Sequence, residues 1–316
     1  MQNKIHNIKK KHMKKFSLRL ALIGIIFMGL SINMDAQLQL LSGLKAGTYQ
    51  SLAQDIRNNS SQKINVLTSN GSVDNFNQLI SDDNSINATF LQYDVLLSNE
   101  MKKPSIRENL RVLLPLFLDE EIHLIARKGS DISNLSDLRG KRVAIGTKEQ
   151  GTYVTATTIK QRTGIAWFDV EMSSNDAYKT LIDGSIDAYF YVGGVPVSSL
   201  SKFGADAQIK LVNIKHKALK DIYRPKKIKK GTYAWQDKKV STFAVPTLLV
   251  VKIKNMSDDT QIKFNTLLND VNTHIKTMQA NGHPKWKDVY FKNQDIDWPY
   301  YYAKPVVKNT QDTGAE

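Results

Sequence analysis

Two short segments of the chain combine glycine, threonine and tyrosine where a helix is predicted to begin. Gly47-Thr48-Tyr49 follows an apolar run that starts at Leu38, and Gly151-Thr152-Tyr153 follows the apolar run Arg142 to Ile145. The first turn of a helix leaves backbone N–H groups without acceptors in the helix, and the helix dipole adds positive potential there. Both segments therefore predict anion-binding sites, with ordinary helix capping as the alternative.

Polar side chains lie near the ends of neighbouring predicted elements. Ser72 and Asn75 begin a predicted helix, and Gln92 and Asp94 end an apolar run. Strands that alternate with short helices predict a mostly parallel sheet, which binds ligands beyond the carboxyl ends of its strands. We expect these side chains to gather beside Thr48. In the alternative, Ser72 is a helix cap, and Gln92 and Asp94 form hydrogen bonds that close the cleft floor.

Carboxylate capture is the chemistry that these residue types support, because two carboxylate oxygens need several converging donors. The candidates are backbone amides, hydroxyls, side-chain amides and aromatic walls, from Thr48, Tyr49, Ser72, Asn75, Gln92, Gly151, Thr152 and Tyr191. The aromatic run Tyr189 to Tyr191 lies on a predicted strand whose alternate side chains face opposite ways. Its rings therefore form either core or cleft wall.

The motifs of several enzyme classes are missing from the sequence. The Gly146-x4-Gly151 spacing resembles a phosphate loop, but Thr152 stands where such a loop needs lysine. No nucleophile elbow and no HExxH zinc helix are present. The chain has no cysteine, and its six histidines are dispersed. We therefore expect a binding protein without catalytic residues, cofactor or metal site.

The order of elements predicts an α/β protein with two lobes, each a mostly parallel sheet flanked by helices, and a ligand cleft between them. The first lobe is predicted to comprise residues 37–121 with 240–316, and the second residues 122–239. The chain is expected to cross between the lobes near 122–127 and 240–253.

Three residues near these crossovers are given structural roles. His123 interrupts an apolar strand and is expected to be a buried core or hinge histidine, and Asp94 is expected to support the cleft. Pro246 in the second crossover predicts a sheet edge or a bend, because proline cannot donate to the sheet.

The first 36 residues have the pattern of a secretory signal peptide. Basic residues from Lys9 to Arg19 precede an apolar run, Leu20 to Leu30, and Ala36 is a small residue where cleavage could occur. The apolar run is shorter than the roughly 20 residues of a membrane span. Without cysteine there is no acceptor for a lipid anchor, so we expect a periplasmic protein that is not lipidated.

The charge balance suggests anionic partners. The net charge is +14 for the whole chain and about +8 without the first 36 residues. Such a field favours anionic small molecules or acidic surfaces, although lysine retained for solubility gives the same balance. The lysine-rich segment Lys215 to Lys230 is predicted to be an exposed loop rather than a nucleic-acid surface.

Taken together, these segments resemble the TAXI class of solute receptors of TRAP transporters, a branch of the type II periplasmic binding proteins. The similarity extends from about Leu40 to Met278. The residues that carry it are Gly47-Thr48-Tyr49, Gly71-Ser72-Val73, Asn75, Gln92, Asp94, Glu120, Ile122-His123-Leu124, Leu138 to Val143, Gly151-Thr152, Asp183-Gly184, Ile186 to Ala188, Gly193, Gly194, Pro196, Gly231-Thr232-Tyr233, Gln236, Val240, Thr242 and Val245-Pro246.

The resemblance implies a two-lobed receptor that closes on its ligand by a hinge. It implies small carboxylates as ligands, including glutamate-like amino acids and dicarboxylic acids, and a TRAP-type membrane permease as partner. We expect a monomer. The chain departs from the family pattern at Leu44-Lys45-Ala46 and at Gln150, where ligand contacts would lie. A sensory or scaffolding protein of the same fold, signalling to a membrane partner, is the alternative.

Overall fold

The computed structural model of the protein describes residues 37–82, 85–289 and 296–302. The predicted signal peptide, residues 1–36, lies outside the described residues. Across the described part of the chain, no helix combines the length and apolar character needed to cross a membrane.

The described residues form ten strands and eight helices. The strands are β1 (Leu38–Leu41), β2 (Ile64–Leu67), β3 (Ala88–Gln92), β4 (Leu110–Arg127), β5 (Arg142–Ala144), β6 (Phe168–Val170), β7 (Ala188–Gly193), β8 (Ile209–Leu211), β9 (Arg224–Ile228) and β10 (Val240–Lys252). The helices are α1 (Thr48–Asn58), α2 (Ser72–Ile80), α3 (Tyr93–Lys102), α4 (Ile106–Asn109), α5 (Gly151–Thr163), α6 (Ser174–Ile182), α7 (Ser198–Ser201) and α8 (Asp258–Asn281). Short 3₁₀ helices cover Leu135–Leu138, Lys217–Leu219 and Pro284–Asp288.

The two predicted strand–loop–helix units form as expected, each beside a parallel strand pair. β1 pairs in parallel with β2 and β3, and β5 pairs in parallel with β6 and β7. In α1 the apolar residues Leu52, Ala53 and Ile56 recur at helical spacing and are all buried. This spacing places one face of α1 on the sheet and leaves its first turn at the carboxyl end of β1.

Two long antiparallel strands join the halves of the sheet. The strand order is β2-β1-β3-β10-β4-β7-β5-β6, with β8 beside β4 and β9 beside β10. β10 contributes Leu248 and Val250 to a core with α2 and α3, and Phe243 and Val245 to a core with α5. The predicted two-lobed α/β architecture is confirmed, and we propose that the lobes divide within β4 and β10.

β10 differs from the edge strand that Pro246 predicted. It lies between β3 and β4, and its register with β4 shifts between Pro246 and Leu248. Because proline has no N–H to donate, the irregularity places it where the ladder is interrupted. The predicted edge position is therefore wrong, and Pro246 instead lies next to a register shift.

Three local predictions also need correction. The segment Lys215 to Lys230 is not a simple loop, since it contains a 3₁₀ helix and β9. Asp94 lies in the first turn of α3 rather than at a strand end. Gly71, not Ser72, is the N-cap of α2, because the helix already begins at Ser72.

Candidate functional site

A cavity of about 100 Å³ lies between the lobes at the carboxyl ends of the parallel strands. Both lobes contribute to its wall. Its lining residues are Gly43, Leu44, Gly47, Thr48, Tyr49, Asn70, Gly71, Ser72, Gln92, Glu120, Gln150, Gly151, Thr152, Ser174, Tyr191, Val192 and Gly193. Seven of the eight predicted ligand-binding residues are therefore brought together, and Asn75 is the exception.

Three helices begin at this cavity, α1 and α2 from the first lobe and α5 from the second. Their N-cap residues are Gly47, Gly71 and Gln150, and in none of the three does a side chain cap the first turn. α1 and α5 also have no acidic residue in the first turn. The first turns of α1 and α5, which no side chain caps, and the dipoles of the helices that begin here make this wall favourable for a negatively charged group.

The two lobes are in direct contact at the start of α2. The carbonyl oxygen of Glu149 accepts hydrogen bonds from Val73 N and Asp74 N, both at 3.1 Å. At Gly151 an added Cβ would lie 1.5 Å from Gln92 Oε1 and 3.1 Å from Ser72 Cβ. A side chain at this position would have to displace the Gln92 amide, because the backbone of the second lobe touches side chains of the first.

Two hydroxyls of the cavity wall are held by backbone amides and keep their own hydrogens available. Ser72 Oγ accepts a hydrogen bond from Gln92 N at 2.8 Å. Thr152 Oγ1 accepts one from Val192 N at 3.2 Å. Each hydroxyl is therefore fixed in position by a neighbouring strand and can still donate to a ligand.

A buried carboxyl group, Glu120, forms part of the cavity wall. Its Oε2 accepts hydrogen bonds from Tyr49 Oη at 2.8 Å and from Gln92 Nε2 at 3.1 Å. Burial is the main cause that raises the pKa of Glu120 from 4.5 to about 7, while these hydrogen bonds favour the ionised form. Below about pH 7 the group is mostly protonated and adds little negative charge to the site.

Glu120 was not among the predicted site residues. A signal was present in the sequence, because Asp119-Glu120-Glu121 interrupts a strand of apolar residues. Charged groups inside such a strand need partners or a function. The sequence could not show which of the three carboxyl groups faces the cleft, because register and bulges decide it.

Asn75 does not line the cavity, unlike the other seven predicted ligand-binding residues. Its side chain is fully buried, and Nδ2 donates to the carbonyl oxygens of Ser42, at 2.5 Å, and Phe90, at 2.8 Å. Its Oδ1 accepts from Ser69 Oγ at 2.5 Å. The amide has no remaining hydrogen for a ligand, and it instead joins α2 to β1 and β3.

Asp94 bridges the lobes outside the cavity. It is 5% exposed, and its Oδ2 accepts hydrogen bonds from Thr155 Oγ1 at 2.6 Å and from Tyr223 Oη at 2.9 Å. Burial raises the pKa of Asp94 to about 6, against the effect of both hydrogen bonds. Since Thr155 and Tyr223 belong to the second lobe, Asp94 connects the two lobes at a place outside the cavity.

His123 lies in β4, one of the two long strands that join the lobes. It is fully buried and does not line the cavity. Its Nδ1 lies 2.8 Å from the Glu121 carbonyl oxygen, and its Nε2 lies 2.8 Å from Tyr233 Oη. Burial lowers its pKa to about 4, so the ring is neutral, with Nδ1–H donating and Nε2 accepting. This is the environment of a structural histidine.

The two segments that depart from the TAXI pattern are both at the cavity. Leu44 and Gln150 line it, whereas Lys45 and Lys148 do not. The ammonium group of Lys148 instead lies 3.2 Å from Glu171. Among the described residues, no group of three His, Asp or Glu side chains is placed to hold a metal ion.

The sequence model described as the NMT1-like family matches residues 44–282 of the chain. Among solved structures, the chain is similar to an ancestral arginine-binding protein bound to arginine. The identity is 15%, the alignment covers 80% of this chain and 96% of that one, and the TM-score is 0.49.

Two further solved structures come from bacterial transport systems. The amino acid ABC transporter substrate-binding protein AbpA from Streptococcus pneumoniae, bound to L-arginine, is 12% identical over 81% of this chain and 96% of that one, with a TM-score of 0.47. Substrate-binding domain 2 of Lactococcus lactis GlnP, in an open conformation, is 9% identical over 83% and 98%, with a TM-score of 0.43. In this chain, the long strands β4 and β10 join two lobes, and the cavity lies between them.

Proposed function

The chain belongs to the NMT1-like family, and we propose that it is an exported solute receptor for a small carboxylate, either a glutamate-like amino acid or a dicarboxylate. The observation that carries the proposal is the convergence of three helix starts on one cavity between two lobes, with the first turns of α1 and α5 left uncapped by side chains. Such a wall attracts an anionic group more strongly than a neutral one, because the helix dipoles place positive potential at the helix starts.

The donors available in the cavity are sufficient for useful affinity. No lysine or arginine is among the lining residues, so backbone amides and the hydroxyls of Ser72 and Thr152 would bind the carboxylate. Hydrogen bonds to a charged group contribute about 1.5–3 kcal/mol each. Micromolar affinity requires roughly 8 kcal/mol after ordering costs, which three to five such contacts with aromatic packing can supply.

The size of the cavity agrees with a small metabolite. A cavity needs roughly 10–15 Å³ to hold one water molecule. The cavity of about 100 Å³ therefore has room for on the order of seven to ten atoms of that size. Glutamate-like amino acids and short dicarboxylates fall in this range. A larger ligand would require the lobes to separate at Gly151.

The delivery step rests on the resemblance to TAXI receptors. We propose that the closed receptor delivers its ligand to a TRAP-type membrane permease, and that it acts as a periplasmic monomer after removal of residues 1–36. Closure would bring surfaces of both lobes into one composite face, which a membrane partner could distinguish from the open form.

The first test is thermal unfolding of the purified protein against amino acids, keto acids and dicarboxylates. A ligand present at a hundredfold its dissociation constant adds about 2.7 kcal/mol, which raises the midpoint by several degrees. We expect a shift with one class of small carboxylate. A flat panel from well-folded, ligand-stripped protein would contradict solute capture.

Delivery needs a separate test in cells. Deletion of the gene should abolish uptake of the compound found in the panel, and expression of the intact chain should restore it. Normal uptake in the deletion strain, with binding confirmed in the purified protein, would favour a sensory role over transport.

A further inference from the structure

A second, smaller cavity of about 50 Å³ lies directly behind the wall of the first. Ser174 and Tyr191 line both cavities, so these two residues separate them. α6 and α7 of the second lobe flank the smaller cavity, which we call the rear cavity. Its remaining walls include the aromatic rings of Tyr178, Tyr189 and Phe203.

Two buried hydroxyls at the rear cavity have no hydrogen-bond partner among the described residues. Tyr189 is 1% exposed, and its Oη neither donates nor accepts. Ser199 Oγ is likewise buried and makes no hydrogen bond of acceptable geometry, although it lies near the side chain of Tyr191. A buried hydroxyl without a partner destabilises the folded state. Two of them at one cavity are better explained by a group that enters it.

The charges around the rear cavity exclude a strongly charged occupant. No carboxyl group is among its lining residues, so an ammonium group would have no counter-ion. Its one lysine, Lys202, is exposed, and Nζ lies 5.3 Å from the centre of the Phe203 ring. An anion inside the cavity would thus lose its hydration without gaining a buried cation. A neutral group that both donates and accepts hydrogen bonds satisfies both hydroxyls.

The partition between the cavities depends on the Tyr191 side chain. Tyr191 is packed against the backbone of Gly193, where an added Cβ would lie 2.7 Å from Tyr191 Cε1. Because Tyr191 and Ser174 are the residues that line both cavities, displacement of the Tyr191 ring is the movement that a connection between them requires. A ligand that replaces the ring contact could therefore extend from the first cavity into the second.

We propose that the rear cavity is a specificity subsite for the far end of the ligand, and that this end is a neutral carboxamide or hydroxyl. The inference rests on the proposed function, since the near end of the same ligand is the carboxylate at the helix starts. Its volume accommodates roughly three to five atoms of water size, and a carboxamide has three. Of the carboxylates considered above, the subsite selects amide-ended or hydroxyl-ended acids over dicarboxylates.

Pairs of ligands with the same shape, one with a neutral and one with a charged far end, test the proposed subsite in the intact protein. Glutamine with glutamate, and succinamate with succinate, differ only in whether the far end is neutral. We expect the amide member of each pair to bind roughly tenfold more tightly, by isothermal titration calorimetry. Tyr189→Phe and Ser199→Ala should each reduce affinity for the amide member about three- to tenfold and leave the acid member unchanged.

The variants should fold, because each removes a hydroxyl that has no partner in the free protein. Their melting temperatures without ligand should equal or exceed that of the wild type. Ser198→Ala is the matched control, since Ser198 is exposed on the same short helix and does not line the cavity. It should leave every affinity unchanged.

The outcomes separate the two proposals. Binding of carboxylates without preference for the amide members, or a preference that survives both variants, would overturn the subsite and leave the receptor function intact. A crystal structure of the complex with ordered water alone behind Tyr191 would do the same. Failure of all four compounds and of the wider panel to bind would overturn the receptor function and the subsite with it.

Discussion

Thr152 shows how one residue serves both the local structure and the proposed site. Its hydroxyl accepts the Val192 amide and keeps a hydrogen for the ligand. We predict that Thr152→Val lowers ligand affinity by about 1–3 kcal/mol, because the variant keeps the shape of the side chain and loses the donor. Titration calorimetry with the compound identified by the thermal panel measures this change.

Thr152→Ser is the control for that substitution, since serine retains the hydroxyl. Its affinity should stay close to that of the wild type. If Thr152→Val also binds normally, the hydroxyl serves to hold β7 in place and the ligand makes no bond to it.

Asn75 and Gln92 illustrate why residue type alone did not identify the cavity wall. Both were predicted as amide donors to a ligand. The fold uses the Asn75 amide entirely for backbone carbonyls of β1 and β3, whereas Gln92 reaches the cavity and bonds to Glu120. The difference follows from the hydrogen-bond partners that each amide meets in the packed structure, and these lie far away in the sequence.

At the level of elements, the start of α5 is packed too closely for any side chain at Gly151. We predict that Gly151→Ala prevents the lobes from adopting this closed arrangement, because the new Cβ would collide with Gln92, 1.5 Å from Oε1 and 2.4 Å from Cδ. Small-angle X-ray scattering with saturating ligand should show a larger radius of gyration than the wild type, and affinity should fall at least about tenfold.

The double variant Gly151→Ala, Gln92→Ala tests whether the collision of the new Cβ with Gln92 is what keeps the lobes apart. Truncation of Gln92 removes the two shortest contacts of the added Cβ. The double variant should regain the compact radius even though it lacks the Gln92 amide. An extended form of the double variant would show that the remaining contact, with Ser72 Cβ at 3.1 Å, is what keeps the lobes apart.

A buried ion pair connects the C-terminal 3₁₀ helix Pro284–Asp288 to the crossing strands. Lys285 has a side chain 3% exposed, and its Nζ lies 3.0 Å from Glu121 Oε2, which also accepts the Val195 amide at 3.0 Å. Loss of one member of such a pair leaves a buried charge uncompensated. We predict that Lys285→Met lowers the free energy of unfolding by about 3–5 kcal/mol, as measured by urea denaturation.

Replacement of both partners provides the internal comparison. Lys285→Met with Glu121→Gln removes both charges, so it should be clearly less destabilising than Lys285→Met alone. Equal losses for the single and double variants would mean that Lys285 contributes through apolar packing rather than through its charge.

For the whole molecule, the buried acids make stability depend on pH. The pKa of Glu120 is about 7 and that of Asp94 about 6 in the folded protein, both above the ordinary values. The folded state therefore holds these protons more tightly than the unfolded chain, and stability falls as pH rises from about 4 to 7. For Glu120 the loss is roughly 3 kcal/mol. His123 has the opposite effect on stability. Because the folded state lowers its pKa, the folded protein becomes less stable as pH falls from about 6.5 to 4.

Glu120→Gln isolates one of these groups, since it removes the titrating acid and retains an acceptor for Tyr49. The variant should gain stability relative to the wild type as pH rises from 5 to 8, by up to about 3 kcal/mol in urea denaturation. Glu108→Gln, at an exposed position, is the control and should follow the wild type. Parallel curves for Glu120→Gln and the wild type would contradict the burial argument.

Local patterns in the sequence were sufficient to predict the two strand–loop–helix units, the alternation that produces parallel strands, and seven residues of the cavity wall. These features depend on residues close together in the chain: apolar spacing selects the buried face, and a glycine before a hydroxyl marks an uncapped helix start. The positions of Thr48, Ser72 and Thr152 at one cleft then follow from the general location of ligand sites in such sheets.

Only the tertiary structure decided which polar groups lie inside and what they contact. The bonds of Asp94 to Thr155 and Tyr223 span 61 and 129 positions, and the pair Lys285–Glu121 spans 164. Glu120, the Gly151–Gln92 contact and the rear cavity behind Tyr191 likewise depend on how the lobes meet. The physical reason is that burial and hydrogen-bond partners are properties of packed surfaces, and segments distant in sequence form those surfaces.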